Sequence, residues 1–83
     1  MKNWEERKRP ICLERRFEFA SYESTRDFLD RLGDLSESMN RYPDISFGKL
    51  YVNITLRPEN EEESFELRDE DYEFASKIES LCN

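Results

Sequence analysis

Among 83 residues there is no histidine, and the only cysteines, Cys12 and Cys82, lie near opposite ends of the chain. Without imidazole the commonest general base at neutral pH is absent, and with it the Ser-His and Cys-His pairs that activate a nucleophile. Two distant cysteines and no histidine cannot supply the usual tetrahedral zinc site, so no metal ligand set is expected. A Cys12–Cys82 disulfide stays open but is disfavoured in a reducing compartment, and no fixed cation or helix N-terminus marks either thiol as activated. Carboxylates are plentiful, in the acidic run Glu59 to Glu63 and at Asp69 to Asp71. Both stretches read as solvated, with nothing nearby to raise a carboxyl pKa for acid/base work. The only glycines are Gly33 and Gly48, too few for a phosphate-cradling loop, so no nucleotide cofactor is expected.

Polar surface for recognition is what remains, and the length bounds how it is held. Eighty-three residues suit one domain, 1–83, whose small core makes self-association expected. The formal net charge of −7 argues against nucleic acid as partner, because that affinity rests on clustered cations meeting phosphates. The charge is polarised: +2 over residues 1–26, −1 over 27–58 and −8 over 59–83. The basic cluster Arg7-Lys8-Arg9 is flanked by Glu5, Glu6 and Pro10 and reads as a solvated strand. No apolar run approaches the roughly 20 residues of a membrane helix, and the N-terminus lacks an apolar signal core, so a cytoplasmic protein with no membrane partner is expected.

The elements that position these residues follow from hydrophobic spacing. From Ile11 to Phe19, Ile11, Leu13, Arg15, Phe17 and Phe19 share one parity, and Cys12, Glu14, Arg16 and Glu18 share the other, predicting a half-buried strand. Asn3 to Lys8 forms its partner, anchored by Trp4, with Pro10 at the connection. Between Tyr22 and Met39, residues Thr25, Phe28, Leu29, Leu32, Leu35 and Met39 recur at intervals of three and four, predicting an amphipathic helix. Ser21 is its N-cap, Asn40 and Pro43 end it, and Gly33 within it suggests a close approach of helix to sheet. Alternation returns from Lys49 to Arg57, with Leu50, Val52, Ile54 and Leu56 facing one way and Tyr51, Asn53, Thr55 and Arg57 the other. Ser46-Phe-Gly48 suits a short strand or bulge before it, Gly48 supplying an unusual backbone conformation. Leu67, Asp71, Phe74, Ile78 and Leu81 then carry helical spacing over about Arg68 to Leu81.

The order β-β-α-β-β-α predicts an α+β fold: one antiparallel four-stranded sheet with both helices on one side. The other face stays open and displays Glu14, Arg16, Glu18, Tyr51, Asn53, Thr55 and Arg57. Ordinary solvated sheet accounts for such a face. A protein-binding surface accounts for it as well, with Tyr51 and Arg57 as anchors because aromatic and arginine side chains concentrate at interface hot spots. Phe47 is expected buried under the second helix, exposure being the alternative.

Two segments, Glu37-Ser-Met-Asn-Arg41-Tyr42-Pro43-Asp44 through Leu56 and Leu67-Arg-Asp-Glu-Asp71-Tyr-Glu-Phe-Ala75-Ser-Lys-Ile78-Glu79, resemble the pterin-4a-carbinolamine dehydratase family. In that family a helix ends in His-His-Pro-Asp, a Val-x-Val-x-Leu strand follows, and a further histidine precedes the last helix. Glu37 and Pro43 match this pattern. The adjacent histidines are replaced by Arg41 and Tyr42, the later one falls near Glu59, and the family's first helix has no counterpart here. The resemblance implies the pterin dehydratase-like fold. The substitutions imply a chain that is not an enzyme, since arginine does not release a proton at physiological pH and tyrosine does so poorly.

A narrower resemblance rests on Trp4-Glu-Glu-Arg-Lys-Arg-Pro10, Leu13-Glu-Arg-Arg-Phe-Glu-Phe19, Tyr42-Pro-Asp-Ile-Ser-Phe-Gly48 and Tyr51-Val-Asn-Ile-Thr55. These strings are similar to the RuBisCO assembly-factor branch of α-carboxysomes. That branch implies a homodimeric chaperone of RuBisCO, its large subunit in particular, in the cytoplasm and associated with the carboxysome. Its contact surface would be the open sheet face, or the former active site with Arg41, Tyr42 and Glu59 as a polar cluster for a peptide or carboxylate. A residual pterin-binding protein or weak dehydratase, and a coactivator-like dimer partner, are the competing classes.

Overall fold

Apolar residues at every second position give two strands that each bury one side, β2 (Ile11–Glu18) and β4 (Tyr51–Leu56). They pair antiparallel, Leu13 opposite Leu56 and Phe17 opposite Val52. In the computed structural model, which describes residues 3–58 and 66–82, β1 (Glu5–Lys8) adds to the free side of β2 and β3 (Asp44–Phe47) to that of β4. The sheet order is β1-β2-β4-β3, antiparallel throughout. Helix α1 (Tyr22–Met39) links the two hairpins and α2 (Asp69–Ser80) follows, giving the β-β-α-β-β-α order that the spacing predicts.

Directly paired residues on neighbouring strands point to the same face. Leu13, Phe17, Val52, Ile54 and Leu56 therefore form one wall, against which α1 sets Phe28 and Leu32, and α2 sets Phe74, Ala75 and Ile78. Phe17 and Phe28 lie 4.7 Å apart between ring centroids, and Trp4 meets Phe17 edge-on. The ends of α1 are closed locally. The Ser21 hydroxyl accepts the Ser24 N–H at 3.1 Å, Asn40 takes the left-handed conformation at φ 51°, and the Arg41 N–H reaches the Ser36 carbonyl. The Thr25 hydroxyl, fully buried, reaches the carbonyls of Ser21 and Lys49 and ties the start of α1 to the β3–β4 turn.

Five expectations are corrected. Phe47 is 56% exposed rather than buried under α2. It pairs with Val52 and so shares the helix-side face, but β3 is the outermost strand and the helices leave it uncovered. Leu50 is exposed because it belongs to the turn, whose Gly48 N–H donates to the Tyr51 carbonyl, and the alternation of β4 starts one residue later. Cys12 keeps the predicted parity but is buried, a short thiol on a central strand beside the longer, ion-paired Arg7 and Glu14. Gly33 faces open space, since a Cβ there would meet no atom within 4 Å, so no close approach of helix to sheet explains it. Gly48 has no positive φ; a Cβ there would stand 2.2 Å from the Tyr51 ring, so the requirement is room for the ring.

Candidate functional site

The register fixes what the open face presents. Glu14 lies opposite Thr55 and Thr55 opposite Asp44; Arg16 lies opposite Asn53 and Asn53 opposite Ser46; Glu18 lies opposite Tyr51. Each row crosses the middle of the sheet, so strand pairing alone brings together six of the seven residues expected for partner binding. Arg57 follows β4 and joins the face by an ion pair with Asp44 at 3.5 Å. Arg7 on β1 pairs with Glu14 and, at 3.4 Å, with Glu5. Between them lies a depression of about 550 Å³ lined by Glu14, Arg16, Ser46, Asn53 and Thr55 among others. Ser46, Asp44, Glu5 and Arg7 belong to this face and were not among its expected residues. Each sits on a short edge strand where alternation is too brief to assign sides, and only pairing to β2 or β4 assigns them.

Tyr51 organises one end of the face. Its ring lies across Gly48, and the Arg16 guanidinium stands 4.1 Å from its centroid. A cation over an aromatic ring is attracted by the ring quadrupole, and the planar guanidinium stacks there while keeping its N–H edge available. Asn53 and Thr55 stay half-buried beside it, able to donate or accept hydrogen bonds.

The residues at the end of α1 part company. Tyr42 is 69% exposed at the rim of a second, smaller depression of about 310 Å³ that Pro43, Asp44, Arg57 and Pro58 also line. Arg41 turns inward. Its guanidinium donates to the Asp71 carboxylate at 2.5 Å and to the Arg57 carbonyl at 2.9 Å, and lies over the Phe74 ring. Asp71 also accepts the Arg68 N–H at 2.8 Å, closing the first turn of α2. The cluster joins the ends of α1 and β4 to the start of α2. Glu59, the third member of the expected polar cluster, lies outside the described residues.

The solvated reading of Asp69 to Asp71 is corrected at Asp71, which falls within the apolar stripe of α2 and is 1% exposed, so its carboxylate demands the partner that Arg41 supplies. Arg15 repeats the pattern on β2, where it shares the parity of Leu13 and Phe17. It reaches Glu79 of α2 through two N–H groups at 3.0 and 3.1 Å, and the Trp4 indole N–H donates to the same carboxylate. The Arg15 guanidinium holds the Glu79 carboxyl below its ordinary pKa. The Tyr72 hydroxyl donates to Glu6, which pushes its phenol up to about 12. Burial pushes the Cys82 thiol up, and Cys82 and Cys12 are both free. Among the described residues no helix is long and apolar enough to cross a membrane.

Comparison with known proteins adds three findings. The family model described as pterin 4 alpha carbinolamine dehydratase matches residues 1–81. Two curated relatives, provisionally named pterin-4-alpha-carbinolamine dehydratase, come from Rubrobacter xylanophilus (35% identical, 83% of this chain) and Aromatoleum aromaticum (31%, 86%). The chain spans 62% and 61% of their lengths. A solved structure described as a pterin dehydratase-like protein and RuBisCO assembly factor in the alpha-carboxysome superposes with a TM-score of 0.84 at 38% identity, over 98% of this chain and 90% of that one. A transcriptional coactivator/pterin dehydratase from Brucella melitensis superposes at 0.80 with 16% identity, over 100% and 85%, a likeness of fold alone.

Proposed function

The chain belongs to the pterin-4a-carbinolamine dehydratase family, and from that premise we propose that it is a non-catalytic member that acts as an assembly factor for RuBisCO in a bacterium with α-carboxysomes. The observation that carries this reading is the likeness, at 38% identity over 98% of the chain, to a protein identified as such a factor. The site agrees with it. Where the family resemblance expects an imidazole, Arg41 is committed to a buried carboxylate, and no histidine exists elsewhere to replace it. Arginine as a residue type is no substitute for the acid or base that an imidazole supplies. The built polar surface is the open sheet face, and it holds the RuBisCO large subunit before assembly is complete, in the cytoplasm beside the carboxysome.

The protein works as a homodimer joined through β3. The two sheet edges differ: β1 shows Glu5, Glu6, Arg7 and Lys8, the charges that keep an edge from pairing, whereas β3 shows Ile45 (41% exposed) and Phe47 (56% exposed) on the uncovered helix side. Antiparallel pairing of two β3 strands closes that edge and covers those side chains under two-fold symmetry. The expected result in light scattering is a dimer at micromolar concentration that Phe47→Lys shifts to monomer; a monomeric parent chain refutes the arrangement.

Binding tests the function. The expected result is that the purified protein captures unassembled RuBisCO large subunit in preference to the assembled enzyme, and that a folded Tyr51→Ala plus Arg57→Ala variant loses that capture. No capture of either form, together with a saturable pterin titration, favours the residual pterin-binding reading that the names of the curated relatives support.

A further inference from the structure

Large apolar side chains that stay exposed gather in one stretch. Apart from Tyr22, those among the described residues are Met39, Tyr42, Ile45, Phe47 and Leu50, all at the end of α1, in β3 or in the connections on either side of it. A patch of that kind marks an interaction surface. β3 is also an edge strand, and its pairing to β4 decides which backbone groups it offers. The Gly48 N–H donates to the Tyr51 carbonyl at 3.0 Å, and hydrogen-bonded pairs alternate with non-hydrogen-bonded ones along an antiparallel ladder. Ser46 with Asn53 and Asp44 with Thr55 are therefore the bonded pairs. Ile45 and Phe47 turn their N–H and C=O groups away from β4, and theirs are the side chains left uncovered on the helix side.

Two antiparallel copies of β3 related by a two-fold axis through the sheet keep their helices on the same side, so helix-side residues must meet helix-side residues. Three registers centred on β3 satisfy this, with Ile45, Ser46 or Phe47 on the axis. With Ile45 there, Phe47 faces the partner's Pro43, which has no N–H for the Phe47 carbonyl, and Asp44 comes diagonally beside the partner's Asp44, a repulsion. With Phe47 there, Ile45 falls opposite the partner's Lys49, in a turn rather than a strand. With Ser46 there, Ile45 faces the partner's Phe47, every outward N–H and C=O of these two residues meets its complement, and Asp44 lies opposite the partner's Gly48, one residue from the cation of the partner's Lys49. We propose that β3 pairs with β3 of a second copy in this register, Ser46 on the two-fold axis beside the partner's Ser46. The proposal rests on the reading that the protein is a homodimer joined through β3, and it specifies how. A second copy is the occupant because β3 itself carries the complement of each group it offers. Its consequence lies on the opposite face. Ser46 ends the row Arg16, Asn53, Ser46, so that row meets its copy at the axis and the open face continues unbroken from one protomer into the other. The surface proposed to hold RuBisCO is completed only by dimerisation.

Cysteine cross-linking reads the register. A disulfide needs Cα atoms within about 7 Å, and a non-hydrogen-bonded pair holds them about 4.5 Å apart, whereas residues displaced from the axis are separated by a further two positions along the strand. Ser46→Cys, Ile45→Cys and Phe47→Cys are each made in a Cys82→Ser background, which removes the exposed native thiol. The expected result under mild oxidation is a covalent dimer from Ser46→Cys at least about tenfold faster than from either neighbour. Faster cross-linking through Ile45→Cys or Phe47→Cys, or equal rates at all three positions, overturns the register and leaves the β3 dimer standing. No cross-linking at any of them, in a chain that light scattering shows to be a dimer, refutes the β3 interface itself. Hydrogen exchange on the parent protein needs no substitution. The Ile45 and Phe47 amides are expected to exchange about tenfold or more slowly in concentrated than in dilute protein. Unchanged exchange at both refutes the pairing whatever the cysteine variants give.

Discussion

Helix α2 is clasped at both ends by an arginine reaching a carboxylate, yet the two clasps sit in different surroundings. At its start Asp71 is 1% exposed and Arg41 10%, and the spare groups are occupied by the Arg68 N–H, the Arg57 carbonyl and the Phe74 ring. At its end Glu79 is 34% exposed and Arg15 20%, with the Trp4 indole as a third member. Water can take the place of either partner in the second clasp and reaches the first only through the narrow exposed edge of Arg41. The same pair of residue types therefore does different work: the buried clasp is costly to break, and the half-exposed one answers to pH and salt.

The largest expected effect tests the buried member. Arg41→Ala leaves the Asp71 carboxylate without its cation and costs about 3–5 kcal/mol of stability in urea denaturation; a cost below about 1 kcal/mol would make the two clasps equivalent. Glu79→Gln costs about 1 kcal/mol, and the cost shrinks in high salt. It also carries a pH signature. Because Arg15 holds the Glu79 carboxyl below its ordinary value, this contribution is fully present above the unfolded pKa of about 4.3 and is lost as pH falls through the folded value. The acid limb of the stability curve is therefore flatter in Glu79→Gln than in the parent. Gly33→Ala provides a position free of any clasp: its Cβ enters open space on an exposed helical turn and stabilises by about 0.4–1 kcal/mol. The smallest effect concerns a third link of α2, from Tyr72 to Glu6. With the Tyr72 phenol raised to about 12, its contribution is present below pH 10 and lost as pH rises toward that value. An absorbance titration of the parent against Tyr72→Phe isolates one late-ionising phenol.

These clasps also mark where the sequence was legible. Long alternation identified β2 and β4, three-four spacing identified α1 and α2, and Ser21 announced its cap, because each is a local pattern repeated over several residues. Arg15 and Asp71 are charges within apolar patterns, and the solvated reading of Asp71 fails because packing of α2 buries its carboxylate against Arg41. Their partners, Glu79 and Arg41, are 64 and 30 residues away, and only the packing of α2 on the sheet brings them together. Phe47 failed for a related reason. Its strand parity is helix-facing, but coverage depends on how far the helical layer extends sideways, a property of the assembled layers that no strand carries in its own residues. On the open face, β2 and β4 gave up six of the seven expected residues by parity, while Ser46 and Asp44 waited for the register of a four-residue strand.

The strand order β1-β2-β4-β3 has a kinetic side. Each hairpin closes over a few residues, whereas the central β2–β4 ladder cannot form until everything between Glu18 and Tyr51, α1 included, has folded back. Folding therefore turns on the meeting of two hairpins rather than on the making of either. The Thr25 hydroxyl at the Lys49 carbonyl spans the far end of that same closure, fastening the start of α1 to the turn of the second hairpin. Removing it with Thr25→Val, by this logic, slows folding more than it speeds unfolding.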